Sequence, residues 1–145
     1  MNVTVEITGL KELDAALRAL PDAMQAGPVR EGLKAGAEVL RQSMAHRAPR
    51  DPDVSGVTLA EEMVAEVKVS TKRDTAEARI GPSKRAWYGR FQEFGTEHHA
   101  AQPFMRPALD QDGQLAIAAL AQAMAAGLER AARRLATQLV KAAAA

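Results

Sequence analysis

The chain of 145 residues fits one domain, expected over 1–145 with 107–145 as its C-terminal helical segment. Hydrophobic residues make up 47% and aromatics only 3%, much of the apolar share being alanine, which predicts a helix-rich protein with a thin core. The 19 basic and 18 acidic residues give no overall field that favours nucleic acid or an anionic membrane, and the lack of cysteine excludes disulfides, thiolate zinc sites and a thiol nucleophile.

Val3, Val5 and Ile7 alternate with Thr4 and Glu6, the pattern of a short half-buried strand ending at Gly9. This start lacks the basic and apolar run of a signal peptide, so the protein is expected to start out in the cytoplasm. Leu10, Leu13, Leu17 and Leu20 then share one helical face, and Pro21 stops the run. A longer helix is predicted from Pro28, where proline suits a first turn, turning Val29, Leu33, Leu40 and Met44 inward before Pro49 ends it. Residues 48–57, dense in proline, aspartate and glycine, read as a loop.

Thr58 and Glu61 have capping-box spacing, so 59–63 reads as a helical turn leading into a strand. Val67 and Val69 alternate with Lys68 and Ser70. After a polar stretch, Ala76, Ala78 and Ile80 alternate with Glu77 and Arg79 before Gly81-Pro82, and the pair reads as a β-hairpin. Trp87, Tyr88, Phe91 and Phe94 stand at helix-like spacing with Gly95 as terminator, a stripe that in so aromatic-poor a chain is first of all expected to be core. A last helix from Met105 or Pro107 carries Ile117, Leu120, Met124, Leu128, Leu135 and Leu139 on one narrow stripe, with a bend or break expected near Gly113. Gln122, Glu129 and Arg130 interrupt its apolar run short of the roughly 20 residues that span a bilayer, so no membrane partner is expected.

No catalytic constellation reaches the strength of a motif. His98-His99 lacks spaced partner ligands, and the expectation is a solvated loop with no metal. Ser43, His46 and Asp51 lack a nucleophile setting. Glu61-Glu62 and the acids at Asp51 and Asp53 read as solvated faces, and no phosphate-binding glycine motif occurs. No catalytic residue and no cofactor is therefore assigned. Arg130, Arg133, Arg134 and Lys141 oppose only Glu129 after residue 113, a basic helical face that could meet phosphate or an acidic partner.

The sharpest feature is Tyr88-Gly-Arg-Phe-Gln-Glu-Phe-Gly-Thr96 followed by Ala101-Gln-Pro-Phe-Met-Arg-Pro-Ala-Leu109. This pair of segments resembles the phage tail-completion or neck protein family typified by the gene-ten product of phage HK-ninety-seven. In that family an aromatic and Glu-Phe-Gly-Thr precede a short variable loop and a Pro-Phe-(apolar)-Arg-Pro-Ala segment that opens the C-terminal helix. The element order agrees along the chain; the alanine-rich extension after Leu128 and the His98-His99 loop depart from the pattern. Physically, Gly95 permits a turn with positive φ, Thr96 can bond its own backbone, and Pro103 and Pro107 stiffen the return. Phe94 would then pack on Phe104, and Arg106 would be presented at the helix start, placed by hypothesis at a subunit interface.

The resemblance implies an α+β fold with a small antiparallel sheet, packed helices and a long C-terminal helix. It implies a non-enzymatic virion protein, a homo-oligomeric ring of six copies at the head-to-tail interface of a long-tailed phage, a prophage or a gene-transfer particle. Its neighbours would be a head-closure, stopper or adaptor ring and a tail terminator or tail tube protein, with DNA passing through the lumen and assembly in the bacterial cytoplasm. The residues expected to carry this role are Trp87, Tyr88, Phe91, Phe94, Gly95, Thr96, Pro103, Phe104, Arg106 and Pro107. Ordering of the 48–57 loop would accompany assembly. A DNA-associated protein using the basic C-terminal helix is the alternative, and a hydrolase built around His46 or His98 comes third.

Overall fold

A computed structural model describes residues 10–50, 55–70, 73 and 75–144. The N-terminal strand expected over residues 3–7 lies outside the described residues, as does the 51–54 part of the predicted loop. In chain order the elements are α1 (Leu10–Arg18), α2 (Asp22–Arg47), β1 (Met63–Ser70), β2 (Thr75–Pro82), a 3₁₀ turn (Lys84–Ala86), α3 (Gly89–Phe94) and α4 (Met105–Ala143). This is the α+β arrangement of antiparallel hairpin, packed helices and long terminal helix that the sequence implies.

Helices α2 and α4 form the backbone of the fold. They run antiparallel, Gly36 facing Ala116 and Gly32 facing Leu120, and a methyl group on Gly36 would stand 2.8 Å from the Ala116 carbonyl oxygen. Small residues thus let two helices approach almost backbone to backbone, which is how an alanine-rich chain makes a tight contact without bulky side chains. Polar ties secure both ends. Near one, the Ser43 hydroxyl donates to Asp112 at 2.5 Å and Arg47 pairs with Asp112 at 3.0 Å; near the other, Arg130 pairs with Glu31.

Pro28 does not open α2. The helix starts at Asp22, directly after Pro21, and Pro28 sits seventh within it, buried against Gly127. An interior proline gives up one backbone hydrogen bond; here the upstream turn is held by Met24 N–H on the Pro21 carbonyl at 2.8 Å and by the Gln25 amide on the Leu20 carbonyl at 2.9 Å. At the far end α2 stops at Arg47, since Ala48 precedes Pro49 and is extended, with φ −57° and ψ 131°. Helix α4 passes through Gly113 without a break, contrary to expectation, and Pro107 falls in its first turn, where no backbone donor is required. By length and composition alone α4 is also long and apolar enough to cross a membrane, so the sequence expectation that no such run exists does not hold. Isolated polar residues do not offset the summed apolarity of so many alanines.

The predicted hairpin forms, with a register running from Met63 opposite Pro82 to Ser70 opposite Thr75, and it turns Met63, Ala65, Val67 and Val69 toward α2 while Val64, Glu66 and Lys68 face outward. The Thr58–Glu61 capping box precedes it: Glu61 accepts from the Thr58 N–H at 2.8 Å. The largest side chain of the main core is Phe104, fully buried among Met44, Leu59, Met63, Ala86 and Ala108. A second small cluster joins Leu13, Leu17 and Leu20 to Leu128, Ala131 and Leu135.

Candidate functional site: the α3–α4 joint and its aromatic face

The 3₁₀ turn and α3 carry two stripes at helical spacing. Ala86, Gly89 and Glu93 point inward, with Gly89 beneath Leu59 and Pro82. The aromatic stripe faces the other way. Trp87 is 63% and Phe94 67% exposed and Phe91 is half-buried, so the expectation that this stripe forms the core is corrected; only half-buried Tyr88 packs against the main core. The small stripe fits the narrow space below Pro82, which bulky rings would not.

The rings are nevertheless ordered against one another. Trp87 meets Phe91 edge-on at 5.6 Å between centroids and Tyr88 at 6.4 Å. The guanidinium of Arg90 lies over Phe91 at 4.8 Å and that of Arg106 over Phe94 at 5.4 Å. Phe94 and Phe104 do not form the predicted pair, since one is exposed and the other buried.

What locks the joint is Glu93, a residue the sequence reading did not single out. It is 1% exposed, and its carboxylate accepts the backbone N–H groups of Phe104 at 2.7 Å, Met105 at 2.9 Å and Arg106 at 3.1 Å, as well as Arg106 Nε at 3.1 Å. These are the donors that the first turn of α4 leaves without helical partners. One buried anion at the positive end of a 39-residue helix therefore caps it from another element. Burial by itself would raise the Glu93 carboxyl, but the three backbone donors and the Arg106 guanidinium outweigh it and hold it below the ordinary carboxylate range. Gly95 ends α3 at φ 74°, as expected, and a side chain there would strike the backbone of Ala101 and His99. Thr96 bonds locally too: its N–H donates to the His99 carbonyl at 2.8 Å, and its hydroxyl oxygen accepts from the His98 N–H at 3.3 Å. Pro103 is exposed and Pro107 half-buried beside this return.

Of the other sequence candidates, Asp51 and Asp53 lie outside the described residues, and the rest are not brought together. Ser43 bonds Asp112 and Arg47, while His46 is exposed. Glu61 serves the capping box, and Glu62 accepts from Ser83 and pairs with Arg85 at 3.3 Å. The His99 ring reaches Gln92, at 3.1 Å, and no cluster of three metal-ligating side chains forms among the described residues. On α4, Arg130 pairs with Glu31 from α2, and Arg133 meets Glu129 at 3.8 Å. Arg134 and Lys141 have no carboxylate partner among the described residues.

These features describe a small α+β scaffold whose most constrained point is a structural joint bearing an exposed aromatic face. The family model described as "Bacteriophage HK97-gp10, putative tail-component" matches residues 11–95, and the chain belongs to that family. The match takes in α2, the hairpin and the joint as far as Gly95. The chain is thus a phage tail component, a virion structural protein whose partners are other virion proteins. No curated protein and no solved structure matches it.

Proposed function

We propose that the chain, acting as one domain over 1–145 with 107–145 as its helical arm, is a subunit of a ring of six that completes the tail and joins it to the head of a long-tailed phage or gene-transfer particle. The ring would sit between a head-closure or adaptor ring and the tail terminator or tube, with DNA passing through its lumen. No chemistry is required of it. Trp87 and Phe94, largely exposed on a joint that Glu93 holds rigid, carry the reading. Exposed aromatics flanked by arginine are the residues that dominate protein interfaces, and a rigid mount lowers the entropy lost on docking. Arg106, with Phe94 beneath its guanidinium, belongs to the same face. The DNA-associated alternative is weakened because Arg130 and Arg133 already face carboxylates within the chain.

Electron microscopy of particles made without this gene tests the proposal. Full heads and finished tails lying apart are the expected result. Intact particles would overturn it.

A further inference from the structure

Helix α4 carries two apolar features that the chain itself does not match with one another. The first is a groove of about 440 Å³ between α2, β2 and the early part of α4, lined by Leu33, Leu40, Ile80, Ile117 and Leu120, with Leu109 and Asp110 at its rim. The second is the far end of α4. Its stripe of buried Leu128 and Ala131 and half-buried Leu135 lies under α1, and the same spacing continues to Leu139, beyond the residues that α1 covers. There Leu139 is 61% and its neighbour Val140 70% exposed.

We propose that the α4 tip of one copy docks in the α2–β2–α4 groove of the next. The occupant is argued from charge and from length. Asp110 is the one charged residue lining the groove, and it is in no ion pair among the described residues; Arg134 and Lys141 on the tip have no carboxylate partner there either. The tip supplies aliphatic side chains to an aliphatic cavity, and with Leu139 inserted the long side chains of Arg134 and Lys141, which helical spacing places on the far side of α4 from it, meet the acidic rim and not the floor. Leu109 and Leu139 lie thirty residues apart on one continuous helix, roughly 45 Å at its normal rise, so a copy cannot fill its own groove. Pairing between copies therefore joins two different surfaces, and such head-to-tail contacts close into rings when the rotation allows. The inference rests on the proposed ring and places one contact within it.

Because the chain has no cysteine, the contact can be tested by crosslinking. The full-length double variant Leu109→Cys/Leu139→Cys, treated with a short bismaleimide as purified protein and in particles, should give a ladder from dimer upward. A mixture of the two single variants should stop at dimer, and neither alone should crosslink. Leu139→Glu, at an exposed position, should keep its circular dichroism and need at least a tenfold higher concentration to assemble in sedimentation velocity. An oligomer that forms normally with Leu139→Glu and gives no ladder would overturn the tip-in-groove contact and leave the ring standing, with the groove then covered by another virion protein or by residues 1–9. A protein that shows neither oligomer nor ladder, even in particles, would overturn both.

Discussion

The Glu93 carboxylate holds Arg106 twice, through the backbone N–H and through Nε, both at 3.1 Å, while the guanidinium also lies over Phe94. Because the same carboxylate takes the N–H groups of Phe104 and Met105, one side chain sets where α4 begins and how it leaves α3. Glu93→Ala should strand those donors in a dry site and destabilise the fold by about 3 kcal/mol, within the range for loss of a buried charged hydrogen-bond partner. Urea titration checks this. Glu93→Gln, which keeps one acceptor, should lie between wild type and alanine, and a loss below about 0.5 kcal/mol for alanine would remove Glu93 as the lock.

The same carboxylate gives stability a sign with pH. Its pKa is lower folded than unfolded, so the folded state binds fewer protons; the stabilisation is complete above the ordinary value of 4.5 and is lost as pH falls through the lower folded value. Glu38 behaves likewise, its pKa held at about 2 by hydrogen bonds from Arg41 and Gln42, but its side chain is 46% exposed and solvent screening leaves it the smaller contributor. Melting temperature should therefore be flat near neutrality and fall below about pH 4.5, and the fall should be shallower in Glu93→Gln. An equally steep fall in that variant would assign the acid sensitivity elsewhere.

Much of this fold was legible from local pattern. Alternation at Val67, Val69, Ala78 and Ile80 gave the hairpin, and Thr58 with Glu61 gave its leading turn, because both signals act between residues a few positions apart. The misreadings arise where a distant partner decides. Pro28 obeys the rule for a first turn, yet Gly127 on α4 accommodates it inside α2. The aromatic stripe and the stripe Ala86, Gly89, Glu93 have the same period, and only the crowding by Leu59 and Pro82 decides which faces inward. Glu93 stood within the family-like segment, but capping rules look three residues ahead, and its donors lie eleven to thirteen residues on.

Close approach of α2 and α4 makes Gly36 a sensitive position. Its added methyl group would meet the Ala116 carbonyl, a backbone atom that cannot rotate aside, at 2.8 Å. Gly36→Ala gains roughly 1 kcal/mol of helix propensity and loses about 1–3 kcal/mol to overpacking, so a net loss is expected. Gly27→Ala, in open space on the same helix, should be neutral or stabilising. Thermal denaturation of the pair compares the two, and equal behaviour would mean the helices separate at little cost.

Stability and tail completion should separate at the aromatic residues. Phe104 is fully buried and Phe104→Ala should cost about 3–5 kcal/mol, so its failure in a particle would say nothing about an interface. Trp87 and Phe94 stand largely in solvent, and alanine at both should change stability by less than about 1 kcal/mol, mainly through the edge contact of Trp87 with Phe91 and the Arg106–Phe94 contact. If that face meets a neighbouring virion protein, the folded double variant should fail to restore joined particles to a strain lacking the gene, and Arg106→Ala should fail in part. Restoration of normal titre by the folded double variant would move the interface away from α3, leaving the α4 groove and tip as the surfaces still to be matched.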